Sequence, residues 1–128
     1  MTTPLEANKA IVRRFIEEVV NGRKPAAADE FIAADSRDHT LPPNLPPNRE
    51  GVKLVMGMIN SAFPDMHYTI EDMVAEEDKV VMRFTRRGTH LGALFGMPPS
   101  GRAVEWRGMD FFRLADGKIV EHWANFDQ

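Results

Sequence analysis

The stretch VEWRGMDFFRLADGKIVEHWAN, residues 104–125, reads as two β-strands folded back on a tight turn. Val104 to Leu114 carries the aromatic and branched residues of a strand, and Ile119 to Asn125 returns. Ala115-Asp116-Gly117 joins them, with Gly117 suited to a left-handed backbone. A bulged three-residue turn sets Leu114 opposite Lys118, Asp110 opposite His122 and Gly108 opposite Ala124. Asp110 and His122 then project from one face of the sheet, and Trp106 and Phe112 share that parity. A two-residue turn pairs Asp110 with Trp123 instead.

The strand period extends upstream. His67 to Val74 forms a strand with Tyr68, Ile70 and Asp72 on one face, and Glu76-Glu77-Asp78 turns the chain. Val80 to Thr89 is the next strand, and LGALFGMPPSG (91–101) is a Gly/Pro-rich loop. Before Pro64 the period is helical. Thr3, Pro4 and Glu6 read as N-cap, first helical residue and capping-box partner of a helix with Ala7, Ile11, Phe15, Ile16 and Val19 on its apolar face. Asn21-Gly22 ends it. A shorter helix follows Pro25, with Phe31 and Ile32 turned inward. Residues 35–48 are irregular, because Pro42, Pro43, Pro46 and Pro47 deny them helix and ladder bonds. A third helix spans 49–63, with Val52, Val55, Met58, Ile59 and Ala62 as its stripe.

Three helices followed by a four-strand antiparallel meander define an α+β fold, with residues 1–128 as a single domain. A strongly curved sheet covered by helices forms a cone, and its open end is the natural place for a ligand. The 39–48 and 91–101 loops would form its rim.

Composition narrows the functional classes. With 16 basic and 19 acidic residues the net charge is −3, which offers nothing to a nucleic acid. The absence of cysteine excludes disulfides, zinc–thiolate sites and cysteine nucleophiles. No apolar run approaches the ~18 residues of a membrane span, and the N-terminal segment lacks a signal-peptide core, so a cytoplasmic protein is expected. There is no P-loop, GxGxxG or GxSxG motif.

An Asp110–His122 pair among aromatics suits acid/base chemistry: the carboxylate fixes the imidazole tautomer and raises its pKa. The alternative is a buried structural hydrogen bond. His39, His90 and His122 lack the spacing of metal ligands, so no metal is expected; His67 opens a strand and belongs on the surface. Arg83, Arg86, Arg87 and Arg107 read as surface residues, some paired with Glu105, Glu121 or Asp72. Phe95 and Met97, on the loop, are candidates to line an apolar pocket, and Phe15, Trp106 and Phe112 join them as substrate-binding walls.

Phe63-Pro64-Asp65, Gly88-Thr89-His90-Leu91-Gly92, Phe95-Gly96-Met97-Pro98-Pro99-Ser100-Gly101-Arg102 and Asp116-Gly117-Lys118-Ile119-Val120-Glu121-His122-Trp123 together resemble the SnoaL-like polyketide cyclases, or ester cyclases, of the nuclear transport factor 2-like superfamily. The resemblance covers nearly the whole chain. It implies a cone-shaped α+β barrel, a homodimer packed through the sheet, and an intramolecular aldol ring closure on a small hydrophobic carbonyl compound, without cofactor or metal. An acidic residue in the pocket acts as acid and base. Asp110 is the first choice for it, with Glu121 and Asp127 open, and His122 is the other candidate base. His39, His90 and Trp106 are donors or walls. Related readings are an isomerase or lyase, an epoxide hydrolase using Asp110, Arg83 and Asn125, and a non-catalytic module that binds a small molecule.

Overall fold

The computed structural model describes Thr3 to Phe126; Asp127, one of the alternatives for the acid, lies outside the described residues. Helix α1 (Pro4–Arg14) starts on the expected capping box: Thr3 Oγ1 accepts from Glu6 N at 3.1 Å, and the Glu6 carboxylate reaches back to Thr3 N. The helix continues as a π-helical segment, Phe15–Val20, which presents Phe15, Ile16 and Val19 to the interior. Asn21 follows and pins this end to the sheet, bonding both Tyr68 O and Tyr68 N.

The second helix is a single 3₁₀ segment, Pro25–Glu30. The chain then does what its local composition does not suggest. Residues 35–38, expected to be irregular, belong with Ile32 to a strand, β1 (Ile32–Asp38). Ala, Asp, Ser and Arg carry little intrinsic strand preference. What makes β1 a strand is an available edge: it pairs in parallel with β5, with Asp38 beside His122. The four-strand meander is therefore part of a five-stranded sheet of order β1-β5-β4-β3-β2. Its other strands are β2 (His67–Glu76), β3 (Lys79–Thr89), β4 (Ala103–Ala115) and β5 (Lys118–Phe126), which pair antiparallel with one another. Helix α2 (Arg49–Ala62), capped by the Asn48 side chain on Glu50 N, packs over β1 as the third expected helix. The sheet is curved and unclosed, and the helices cover its concave face.

Two bulges decide which side chains face inward. On β2, Glu71 is the extra residue between the Ile70–Phe84 and Asp72–Arg83 pairs. It reverses the parity, so Asp72, expected beside Tyr68 and Ile70, turns out to solvent and holds Arg83 at 2.7 Å, while Met73 packs on the core. On β5, Val120 is the extra residue: Leu114 pairs with Ile119, and Arg113 pairs with Glu121.

The hairpin turn corrects the expected register. Ala115 pairs with Lys118, leaving a two-residue turn, Asp116-Gly117, with φ of 51° and 76°. Such a turn alone would set Asp110 opposite Trp123. The Val120 bulge adds one residue, and Asp110 sits opposite Ala124 with Phe112 opposite His122. Asp110 and His122 thus become diagonal neighbours on the same face instead of a direct pair. Gly117→Ala should cost about 1 kcal/mol, because alanine resists this positive φ; urea unfolding would measure it.

The core runs from Val12, Phe15, Ile16 and Val19 across to Val80, Met82, Phe84, Phe112 and Leu114, all buried. Among the described residues no helix is long and apolar enough to cross a membrane.

Candidate functional site

Between the helices and the concave face of the sheet lies a cavity of about 470 Å³, the size of a small-molecule site. Its walls are mostly apolar: Phe15 and Ile16 from the π-helical segment, Val52 and Met56 from α2, Phe84 and Phe112 from the sheet. Thr40, Leu41 and Pro42 on one side, and Leu94 and Phe95 on the other, bring both proline loops to its edge.

Polar chemistry is concentrated on one wall. His122 Nε2 lies 2.8 Å from Asp110 Oδ1, and its Nδ1 lies 2.9 Å from Asp38 Oδ2. The ring stacks on Phe112 at 4.8 Å between centroids. All three polar side chains line the cavity, and Asp38 and Asp110 are both buried. Burial by itself would push the imidazole pKa down. The bonds from Asp110 and Asp38, and their charges, override it and raise His122 to about 9. Burial likewise pushes Asp38 up, but bonds from His122 and from the Thr40 hydroxyl and amide leave it below its usual value.

At neutral pH, then, His122 is an imidazolium. It has two N–H donors and no acceptor, and each donor meets a carboxylate oxygen. In that state the ring has no free lone pair with which to take a proton. Asp110 Oδ1 accepts from the imidazolium, while Oδ2 has no hydrogen-bond partner among the described residues and belongs to a side chain that lines the cavity. Among the described residues no cluster of His, Asp and Glu is arranged to hold a metal ion.

The other expected site residues divide. Phe15, Phe95, Trp106 and Phe112 line the cavity, although Phe95 is more than half exposed. His39, His90 and Met97 do not line it. His39 stacks on Trp123 at 5.0 Å and meets Glu121 at 2.7 Å. His90 is buried against Phe63 and holds Ser100 through Nδ1, anchoring the 91–101 loop. Met97 projects from that loop, 63% exposed. Glu121, an alternative acid, has both oxygens engaged, one by His39 and one by Arg113. His39 first, with Arg113, holds its carboxyl below the usual range against the effect of burial. The trio considered for epoxide hydrolysis is not assembled: Arg83 pairs with Asp72 in solvent, and Asn125 is exposed.

Three cavity residues escaped the sequence reading. Asp38 stood in a segment without strand signal, so its neighbour across β5 could not be foreseen. Tyr68 is read only as part of one strand face, and Arg86 as a surface residue, solvated or paired. In fact Arg86 lies on the inner face and donates to the Tyr68 hydroxyl at 2.8 Å.

The profile of the SnoaL-like polyketide cyclases matches residues 10–128. The chain belongs to this family. Among its relatives, the aklanonic acid methyl ester cyclase DnrD of Streptomyces peucetius is 26% identical over 124 residues, covering 91% of this chain and 83% of the relative. The nogalonic acid methyl ester cyclase of Streptomyces nogalater is 28% identical over 102 residues, covering 77% of this chain and 76% of the relative. Of solved structures, IdmH of Streptomyces antibioticus superposes with a TM-score of 0.81 at 34% identity, covering 94% of this chain and 91% of its own. TsrD of Streptomyces laurentii superposes with a TM-score of 0.85 at 27% identity, over 94% and 88% of the two chains.

Proposed function

We propose that this chain is a cofactor-independent acid/base enzyme of the polyketide-cyclase type, closing a ring in a small hydrophobic carbonyl compound by an intramolecular aldol step. The observation that carries this reading is the Asp38–His122–Asp110 array opening into an apolar cavity. Asp110 takes a proton from a carbon beside a carbonyl. The enolate carbon attacks a second carbonyl of the same molecule, and the proton on Asp110 passes to the alkoxide that forms. Atoms and charge balance with no other reactant. His122 stays an imidazolium throughout, orienting the Asp110 carboxylate, and Asp38 keeps His122 charged and fixed.

A carboxylate is a weak base, so the carbon acid has to be activated by more than one carbonyl. The apolar wall folds the substrate and excludes water, which supplies proximity of the two reacting carbons. The methyl esters in the names of the two Streptomyces cyclases are the first compounds to try. Incubation with aklanonic acid methyl ester and nogalonic acid methyl ester in D₂O, with a chelator present, should give ring closure or deuterium exchange at the activated carbon. Tight binding without either outcome would sink the enzymatic reading and leave a binding module, which the largely apolar cavity would also suit.

A further inference from the structure

The cavity contains a cation that the acid/base array does not use. Arg86 sits on β3 directly across from Trp106, four residues along the ladder from the Met82–Asp110 pair. Four residues of strand amount to roughly 13 Å. Its guanidinium lies 4.7 Å from the centroid of the Trp106 ring, 5.3 Å from Phe126 and 5.4 Å from Tyr68. The only hydrogen bond it makes among the described residues goes from Nη1 to the Tyr68 hydroxyl, and Nε is buried without a partner. Among the described residues no carboxylate forms an ion pair with it, whereas Arg83, Arg87 and Arg113 each have one.

A guanidinium held between aromatic rings with unused donors is expensive unless something completes it. Tyr68 adds to the point. Its oxygen accepts from Arg86, so its own O–H proton remains available to donate. Burial holds this phenol above its ordinary pKa, against the opposing effect of Arg86, so it stays a donor.

We propose that Arg86 and the Tyr68 hydroxyl form an oxyanion-recognition point, and that the ligand presents there an anionic oxygen, a carboxylate or an ionised enol, carried on a flat conjugated ring system. The rings of Trp106, Phe126 and Tyr68 give the flat system its stacking surface, and the planar fork of Arg86 gives the oxygen its charge-assisted bonds. The reacting carbon then lies toward Asp110, at the other end of the same wall. This assignment deepens the proposed function, since it treats the cavity as the substrate site, but it is tested by binding and not by turnover.

Two probe pairs separate charge from shape: naphthoate with naphthamide, and lawsone, an acidic enol ionised at neutral pH, with its methyl ether. Tryptophan fluorescence or calorimetry reads the affinities. The wild-type protein should prefer each anion to its neutral partner by roughly tenfold or more. The preference should vanish in Arg86→Met, shrink in Arg86→Lys, which keeps charge without the fork, and shrink in Tyr68→Phe. Asp110→Asn, which should stop turnover, should keep it, so failure here and failure of the acid/base reading give different results. Arg86→Met keeps the length of the side chain but gives up the Tyr68 bond and the ring contacts of the guanidinium, so its melting temperature is measured alongside, and Arg86→Lys and Tyr68→Phe carry the test if it folds poorly. The better-bound anion distinguishes a carboxylate from an enolate ligand. Equal affinity within both pairs, no detectable binding of either anion at millimolar concentration, or a preference retained in Arg86→Met would each overturn the assignment.

Discussion

Asp110→Asn should lower kcat for ring closure or hydrogen exchange by about a thousandfold, with little change in fold. Asparagine keeps an oxygen that can accept from His122 Nε2, so the side chain has every reason to stay in place. What it loses is a basic oxygen facing the cavity. A second readout tells a catalytic loss from a structural one. Removing the Asp110 charge takes away one of the two carboxylates that hold His122 up, so the imidazole pKa, followed by NMR, should fall from about 9 while the Asp38 bond persists. If turnover of a true substrate survives the substitution, Asp110 is not the base. If turnover and the His122 shift both vanish together with the melting transition, the variant has unfolded, and Asp110→Glu, which restores a carboxylate on a longer arm, becomes the decisive variant: partial activity supports the assignment, and none beside a folded protein counts against it.

The second large effect is on stability against pH. The folded-state pKa of His122 is about 9, above the 6.5 of the unfolded chain. A group raised on folding stabilises fully below its unfolded value, and that contribution is lost as pH rises through the folded one. The array should therefore favour folding by on the order of 3 kcal/mol near pH 6, fading between pH 6.5 and about 9. Asp38 has the opposite sign: its lowered pKa stabilises above the ordinary carboxylate range, and that part is lost as pH falls through the lowered value. Stability from the array is thus greatest in the window between about 4 and 6.5. Urea midpoints across pH 5 to 10 would check this. The decline on the alkaline side should disappear in His122→Asn; a flat wild-type profile, or a decline unchanged by that substitution, would show that His122 is not charged in the way the array requires.

Much of the site could be seen before the fold. Parity alone placed Trp106, Asp110, Phe112 and His122 on one face of a hairpin, and that face is the cavity wall. The route to it was different, since the turn has two residues and Val120 restores the parity. Both the assumed register and the observed one carry an even offset, and period-two alternation cannot tell them apart. The same alternation misplaced Asp72, because the Glu71 bulge inverts the pattern halfway along β2. Bulges have no dependable local signature: the extra residue is tolerated where the partner strand and the core make room for it.

Patterning along the chain was enough for the capped start of α1, the helix that follows the proline loop and the four-strand meander. These rest on local preference and short-range periodicity, which the chain carries wherever it goes. Only the tertiary structure decided β1, which exists because β5 offers it an edge, and with it the arrival of Asp38 at His122 Nδ1. It decided as well that two carboxylates from different strands converge on the His122 ring and raise its pKa to about 9, and that Arg86 turns into the cavity instead of joining the surface pairs. Each of these depends on contacts between residues far apart in the chain, 84 positions for Asp38 and His122, and no local pattern encodes a meeting of that kind.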